Sequence, residues 1–567
     1  MRHSSPRLII GIFCLLFAVA AWVVAPHSPD AFSAEAQTAK PAVAAPGAAQ
    51  VQTASVSMTK TSPQPKLLPA PGTEVYTAKR GEAIPTIARH YLGKTSYLTS
   101  SELAEAIRSV NHKSDSSNIL RANEDILIPG ILPAPISEKT IPVAKDFEVR
   151  AVYLTGVMAA SDHGIRIIKH WREVGGNAVV FDIKDSDGSV NIPFEHPLLG
   201  EHKVYIHDVP KFVHFLHQQN MHAIARIAMF RDERLVVTHP ELAVQSRKNH
   251  TAWRENGKLV WTDPSNPKVQ DYDIALAKHV AQLGVDEIQF DYVRFPAEGD
   301  QKDAAFVFQN GQEPVSADAV NGQSGATNPK LEVAKTSPEG AGCESPGRKS
   351  RIAGKSGDQS RRDGTTAEAL KPCTVKPAVP RGPQRSDVIA GFLKKAYGEL
   401  HPTGVLLSLD VFGVMAWQRQ VDLSHTGQDI VQMARYCDVL SPMIYPSHFF
   451  GMDNISHPGD EPAHFIGESM DRFMLITKGS GVVIRPWLQA FHWRTKTYSP
   501  EYIKIQVETA KAKGGDGFLF WNAANDYSKP YEAMPEMKAV NAKEKDKYFR
   551  GDELPVPAVQ AALIPAR

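Results

Sequence analysis

From residue 149 to residue 540 one pattern recurs eight times: a short, almost wholly apolar run and then an amphipathic helical stretch. The runs are VRAVYLTG (149–156), NAVVFDIKD (177–185), HAIARIAMF (222–230), DEIQFDYVRFP (286–296), GVLLSLDVFG (404–413), CDVLSPMIY (437–445), VVIRPWLQAF (482–491) and GDGFLFWNA (515–523). Strands covered on both faces must be apolar nearly throughout, as these are. The stretches Gly164–Val174, Asp208–Asn220 and Pro267–Leu283 carry apolar residues at helical spacing. Gly175-Gly176 and Gly514-Gly515 read as helix stops ahead of the second and eighth runs. Eight βα repeats predict an α/β fold with a parallel sheet, and eight is the number that closes a (β/α)8 TIM barrel.

The repeats are interrupted once. Residues 297–385 are rich in Gly, Ser, Pro, Lys and Glu, show no periodicity, and read as a low-complexity, disordered insertion after the fourth run. A lid or partner-binding loop is the alternative, because the insertion leaves from the strand end where barrel active sites lie. Removing it leaves about 300 residues for the barrel domain 149–540, an ordinary barrel size. Cys343 and Cys373 fall within it and could pair in an oxidising compartment. Cys437 opens the sixth run and reads as a buried small hydrophobe.

The two ends differ from the middle. Arg2, His3 and Arg7 precede an apolar run at 8–25, and Ala34-Glu35-Ala36 offers the small residues a signal peptidase reads. Residues 1–36 therefore fit a cleaved signal peptide or, since the run just spans a bilayer, an uncleaved single-pass anchor. Both send the rest of the chain to the periplasm, the cell envelope or the exterior. Cys14 lacks the setting of a lipoprotein site. Residues 37–72 and the tail 541–567 are Pro- and Ala-rich with few large apolar side chains, and read as disordered linkers. A hydrophobic fraction of 42% and a charged fraction of 22% exclude a polytopic membrane protein. Sixty-three Lys and Arg against 62 Asp and Glu leave no electrostatic reason for a nucleic-acid partner. Four cysteines exclude a disulfide scaffold.

Residues 73–131 form a separate module. A short strand at Val75–Thr77 leads to a helix with Ile84, Ile87, Ala88 and Tyr91 on one face, then a helix at Ser101–Val110 and a closing strand at Ile126–Ile128. This β-α-α-β order, with YTAKRGEAIPTIA at its start and ILIPG at its end, resembles the LysM module. The resemblance covers about 57 residues, with a longer middle (94–118) than usual, and implies binding of a glycan containing N-acetylglucosamine. A LysM-shaped spacer that no longer binds sugar is the alternative.

Polar residues gather at the C-terminal parts of the barrel runs. Asp182 and Lys184 end the second, Arg226 lies in the third, and Gln289 and Asp291 end the fourth. Ser408 and Asp410 end the fifth, Tyr445 the sixth, Gln489 the seventh after Trp487, and Trp521-Asn522 the eighth. A single Asp–Arg pair would suggest a buried ion pair; three carboxylates among Lys, Arg, Gln, Tyr and Trp from separate strands favour a substrate pocket. The phrases FDIKDSDG (181–188), QFDYVRFP (289–296), SLDVFG (408–413) and SPMIYPSHF (441–449) resemble a glycoside-hydrolase domain family, once a domain of unknown function, within the TIM-barrel glycosidases. The resemblance covers 149–540 apart from the insertion.

It implies glycosidic bond cleavage by two carboxyl groups. Asp291 and Asp410 are the candidate catalytic pair, from adjacent strands about 4.8 Å apart, which suits the roughly 5–5.5 Å of a retaining enzyme. A strand-four Asp is the nucleophile in related barrels, so the resemblance assigns Asp291 that role. Asp410 shares its face with apolar Phe412, which favours a raised pKa and acid/base work. Asp182 is the understudy, in an inverting arrangement, although Lys184 on the same face would suit it better to sugar hydroxyls. Arg226 and Lys184 would keep the nucleophile ionised. Tyr445, Trp487 and Trp521 would stack on sugars, and Gln289, Gln489 and Asn522 complete the expected substrate-binding set.

Twenty-one histidines include His214, His217, His222, His448, His457 and His464, mostly read as surface or loop residues. None forms a tight ligand pattern, so neither a metal nor another cofactor is expected. No nucleophile elbow, Walker loop or dinucleotide fingerprint stands in the right context. The expectation is an exported glycoside hydrolase acting on a polysaccharide or a peptidoglycan-like glycan. The rival is a non-catalytic glycan-binding envelope protein with a pseudo-enzyme barrel.

Overall fold

The computed structural model describes residues 70–114, 119–309 and 382–541. The signal or anchor at 1–36, linker residues 37–69, most of the insertion with Cys343 and Cys373, and the tail after Asn541 lie outside the described residues. No helix among the described residues is long and apolar enough to cross a membrane.

The first unit is small. Strand β1 (Thr73–Thr77) and strand β2 (Asp125–Pro129) pair antiparallel, and between them in sequence run α1 (Ile84–Tyr91) and α2 (Ser100–Val110). Ile84, Ile87 and Tyr91 of α1 meet Leu103 and Ile107 of α2 and Ile126 and Ile128 of β2 in a core of their own. Thr99 caps α2 by accepting from Glu102 N at 3.1 Å. Its hydroxyl also donates to Asp162, the first residue of α3 (Asp162–Glu173). Nζ of Lys211, on α4 (Val209–Gln218), donates to Leu92 O at 2.9 Å and Tyr97 O at 3.4 Å. The unit is thus seated on the N-terminal ends of two barrel helices.

The barrel strands are β3 (Val149–Leu154), β4 (Ala178–Lys184), β5 (His222–Ala228), β6 (Glu287–Asp291), β7 (Leu406–Phe412), β8 (Val439–Met443), β9 (Trp487–Gln489) and β10 (Gly517–Trp521). All pair in parallel, in chain order, and β10 returns to β3 from Gly517↔Val149 to Phe520↔Val152, closing the sheet. Gly517 makes that seam possible: its φ is +79°, and a Cβ there would lie 2.0 Å from Val149 O. The seventh run splits in two, Val483–Ile484 and β9, because Pro486 has no N–H to give the ladder. The helices α5 (Pro267–Ala281), α6 (Arg385–Leu400), α7 (Pro462–Ile476), α8 (Pro500–Ala512) and α9 (Ser528–Asn541) join α3 and α4 around the sheet. Ser161, Asp208, Asn266 and Ser499 each cap the helix that follows.

Apolar residues fill the space between strands and helices, while Val149, Ala151, Ala178, Val180, Ile224 and Leu519 pack inside the barrel. The compositional boundary at 297 lies within folded structure. Ala304–Ala305 pairs antiparallel with Gln245–Ser246, and Asp303 accepts from Ser246 Oγ at 2.8 Å. A two-residue pairing is too short to leave a periodic signal. His217 and His222 correct the expected surface placement: both are buried, on α4 and inside β5.

Candidate active site

Strand alternation turns every second side chain of each run inward, and four inward residues meet at the C-terminal end of the barrel. Arg226 of β5 is their centre, only 2% exposed. Its Nη1 donates to Asp182 Oδ1 on β4 and its Nη2 to Asp291 Oδ2 on β6, each at 2.5 Å. Its Nε faces Asp410 Oδ2 of β7 at 3.8 Å. Asp291 and Asp410 therefore address the same Nε–Nη2 edge of one guanidinium, with Asp182 at the other end. Burial alone would lower the Arg226 pKa, but the surrounding carboxylates outweigh it and raise it well above its usual value.

The two acids on that edge are unlike. Asp291 is 7% exposed, and its Oδ1 accepts from Tyr292 N at 2.6 Å. Tyr292 sits in the left-handed region at φ +55°, a strained backbone that a large side chain adopts only where its surroundings enforce it. Asp410 is 1% exposed, and Trp487 Nε1 donates to its Oδ1 at 2.7 Å. Burial first, then the charge of Asp291, pushes the Asp410 carboxyl well above the usual carboxylate range, against the pull of Arg226 and Trp487.

An aromatic wall completes the mouth. Trp521 stacks on Tyr153 at 4.1 Å between ring centroids, and Arg226 lies 5.3 Å from the Trp521 ring. The Tyr153 hydroxyl donates to Asp182 Oδ2. Tyr445 is buried beside Trp487. Burial first, then Asp410 and Asp291, raises its hydroxyl pKa well above the usual value.

Asp182, Arg226, Asp291, Asp410, Tyr445, Trp487 and Trp521 thus converge, and four expected pocket residues do not. Lys184 is turned away by a β-bulge. Asp182 pairs with Arg226 but Lys184 with Ile227, so one extra residue reverses the alternation beyond Asp182. Its Nζ instead lies 2.8 Å from both Asp273 of α5 and Asp232, fully buried, and does not support the nucleophile. Gln489 ties loops together: Nε2 donates to Phe491 O at 3.0 Å and Oε1 accepts from Ser447 N at 3.2 Å. Asn522 does likewise, donating to Ala490 O at 2.6 Å and Asp526 O at 2.8 Å. Gln289 lies inside the barrel below Asp291, donating to Ser441 Oγ at 3.2 Å. Trp487, at 1% exposed, orients Asp410 rather than offering a face to a sugar.

Three features were missed. Tyr153 follows the same inward alternation as Ala151, so the signal was present. Asp185 sits in the Asp-Ser-Asp-Gly turn signal after β4. Beneath the site, Glu287 pairs with Arg485 at 2.8 Å and His222 at 3.1 Å, a layer with no signal beyond its charges. Among the described residues no group of His, Cys, Asp and Glu is arranged to hold a metal ion.

No curated protein matches the chain. Among solved structures, a hypothetical protein from Ruminiclostridium thermocellum is 38% identical over 29% of this chain and 84% of its own, with a TM-score of 0.26. The PgaB (BpsB) glycoside hydrolase domain from Bordetella bronchiseptica is 11% identical, covering 68% of this chain and 99% of its own at a TM-score of 0.43. The spore cortex-lytic enzyme SleL of Bacillus megaterium is 11% identical, over 81% and 85% of the two chains, at 0.34. The stretch that holds Arg226 and the three acids around it, from β3 to the residue before α9, is also what a family model recognises: across residues 151–527 the chain belongs to the "Putative glycosyl hydrolase domain" family.

Proposed function

We propose that this chain is an exported glycoside hydrolase that cleaves a cell-envelope or matrix polysaccharide with Asp291 as nucleophile and Asp410 as acid/base. The observation that carries the reading is the asymmetry of two acids on one guanidinium edge. Glycoside hydrolysis needs one ionised carboxylate that can reach the anomeric carbon and one carboxyl that holds a proton for the leaving oxygen. Asp291 is the more open of the pair and takes a charge-assisted bond from Arg226. Asp410 is enclosed, and its raised pKa keeps a proton available. After the first step Asp410 would take a proton from water and return to its starting state. Neighbouring strands and a shared guanidinium edge support the short separation of a retaining enzyme. Trp521 is the half-buried aromatic face at the mouth and suits stacking against a sugar ring. The β1–β2 unit would hold the same glycan beside the barrel.

The test is reducing-end release from a panel of envelope and exopolysaccharide glycans by wild type, Asp291→Asn and Asp410→Asn. Both variants should lose about 10²- to 10⁴-fold in rate while keeping their fold. Release that survives both substitutions would remove these two residues from the mechanism. Clear binding with no release from any glycan would favour a non-catalytic glycan-binding protein.

A further inference from the structure

The turn after β4 returns a carboxyl that the proposed reaction does not use. Asp185 N donates to Ser189 O at 2.9 Å, Gly188 N donates to Asp185 O at 2.9 Å, and Lys184 bridges Val190. Gly188 has φ +90°, and a Cβ there would lie 1.9 Å from Asp232 Oδ1, so the turn is wedged against the loop after β5. Folded back in this way, the half-buried Asp185 carboxyl hydrogen-bonds the carboxyl of Asp182. Asn191, fully buried, braces both: its Nδ2 lies 3.2 Å from Asp185 Oδ2 and 3.2 Å from Asp182 O.

Two carboxyl groups can share a hydrogen bond only if one of them carries a proton. Asp182 already accepts twice, from Arg226 Nη1 at Oδ1 and from the Tyr153 hydroxyl at Oδ2. The proton therefore belongs on Asp185. Burial first, then the charge and hydrogen bond of Asp182, pushes the Asp185 pKa up to about 9, with Asn191 and Arg226 opposing. The groups facing it are Tyr153 from β3, Asp182 from β4 and Arg226 from β5. Arg231 and Asp232 contact the turn from the loop after β5, at Ser186 O and Gly188 respectively, and Asp187 of the turn pairs outward with Arg234.

We infer that Asp185 is a protonated positioning residue: its hydrogen bond fixes Asp182, and Asp182 in turn holds the Arg226 guanidinium so that its Nε–Nη2 edge faces Asp291 and Asp410. The consequence for catalysis rests on the reaction proposed above; the placement of the proton does not. Once ionised, Asp185 would set two like charges side by side and push Asp182 off Arg226.

The experiment uses the full-length chain and two variants. Asp185→Asn keeps a neutral donor of the same shape, whereas Asp185→Ala removes it. Asp185→Asn should retain kcat within about threefold at pH 7, and Asp185→Ala should lose about ten- to a hundredfold with little change in KM. The alkaline limb of wild-type activity should lose its step near pH 9 in Asp185→Asn. Independently of turnover, infrared difference spectra between about pH 7 and pH 10 should show a protonated-carboxyl component in wild type that is lost in Asp185→Asn, over any contribution of Asp410 that both proteins share. An Asp185→Asn variant as inactive as Asp185→Ala, or a band unchanged by the substitution, overturns the inference. If wild type cleaves no glycan, the proposed reaction fails while the infrared band still decides where the proton sits.

Discussion

Two charged layers lie inside the same barrel, and they are built on opposite principles. In the lower one a single acid, Glu287, meets two basic partners: Arg485 Nη1 at 3.0 and 2.8 Å and His222 Nε2 at 3.1 Å. Burial would raise the Glu287 pKa, but Arg485 and then His222 pull it down to about 2. In the upper layer four carboxyls, Asp182, Asp185, Asp291 and Asp410, gather around one arginine. A buried charge that finds an opposite partner is a finished structure. Acids in excess of cations must keep protons on some of their number, which is the condition acid/base chemistry needs. The difference separates what the fold requires from what a reaction requires.

Breaking the upper layer at its centre should give the largest effect. Arg226→Met removes the guanidinium that both Asp291 and Asp410 address, and kcat on a cleaved glycan should fall about 10²- to 10³-fold. The lower layer should answer in stability instead. Arg485→Met strands Glu287 as a buried charge and should cost about 3–5 kcal/mol in urea unfolding, with kcat of the folded fraction changed only a few-fold. An Arg485 variant that kept its stability but lost turnover would erase the distinction between the layers.

A third cluster sharpens it below the barrel. His217 touches Asp286 at 3.0 Å and Glu138 at 3.3 Å, in the segment that leads from the β1–β2 unit into β3. Burial would lower the His217 pKa, but the hydrogen bonds it donates to those two acids raise it to about 9. A raised folded pKa means that stability is complete below the unfolded value of about 6.5 and is lost as pH rises through about 9. Denaturation at successive pH values should therefore show a loss of up to about 3 kcal/mol across that window, absent in His217→Gln. The smallest effect is a gain. Asp410→Asn removes a buried acid that must hold its proton, and should raise stability by about 1 kcal/mol in the same unfolding measurement.

The barrel was legible because strands covered on both sides must be apolar and helices need caps, and both demands mark the sequence directly. The central acids were legible for a related reason: Asp291 and Asp410 interrupt apolar runs where nothing in a packed strand calls for charge. Lys184 was misjudged because a one-residue bulge leaves no trace in composition, yet reverses every side chain after it. Gln489 and Asn522 look like sugar-binding residues in sequence, and only the positions of backbone carbonyls reveal that loops have already claimed them. Asp185 was missed because a turn, not a strand, carries it inward.

The seat of the β1–β2 unit has a consequence for products. Helices of a (β/α)8 barrel begin on the face where its active site opens, and the unit rests on the starts of α3 and α4 through Thr99 and Lys211. Under the proposed function, in which this unit holds the same glycan, a polymer gripped there would reach Asp291 across an offset that does not vary from one turnover to the next. The seat would then act as a ruler: fragments would cluster around one length, and loosening it with Lys211→Ala would broaden the spread without slowing each cut.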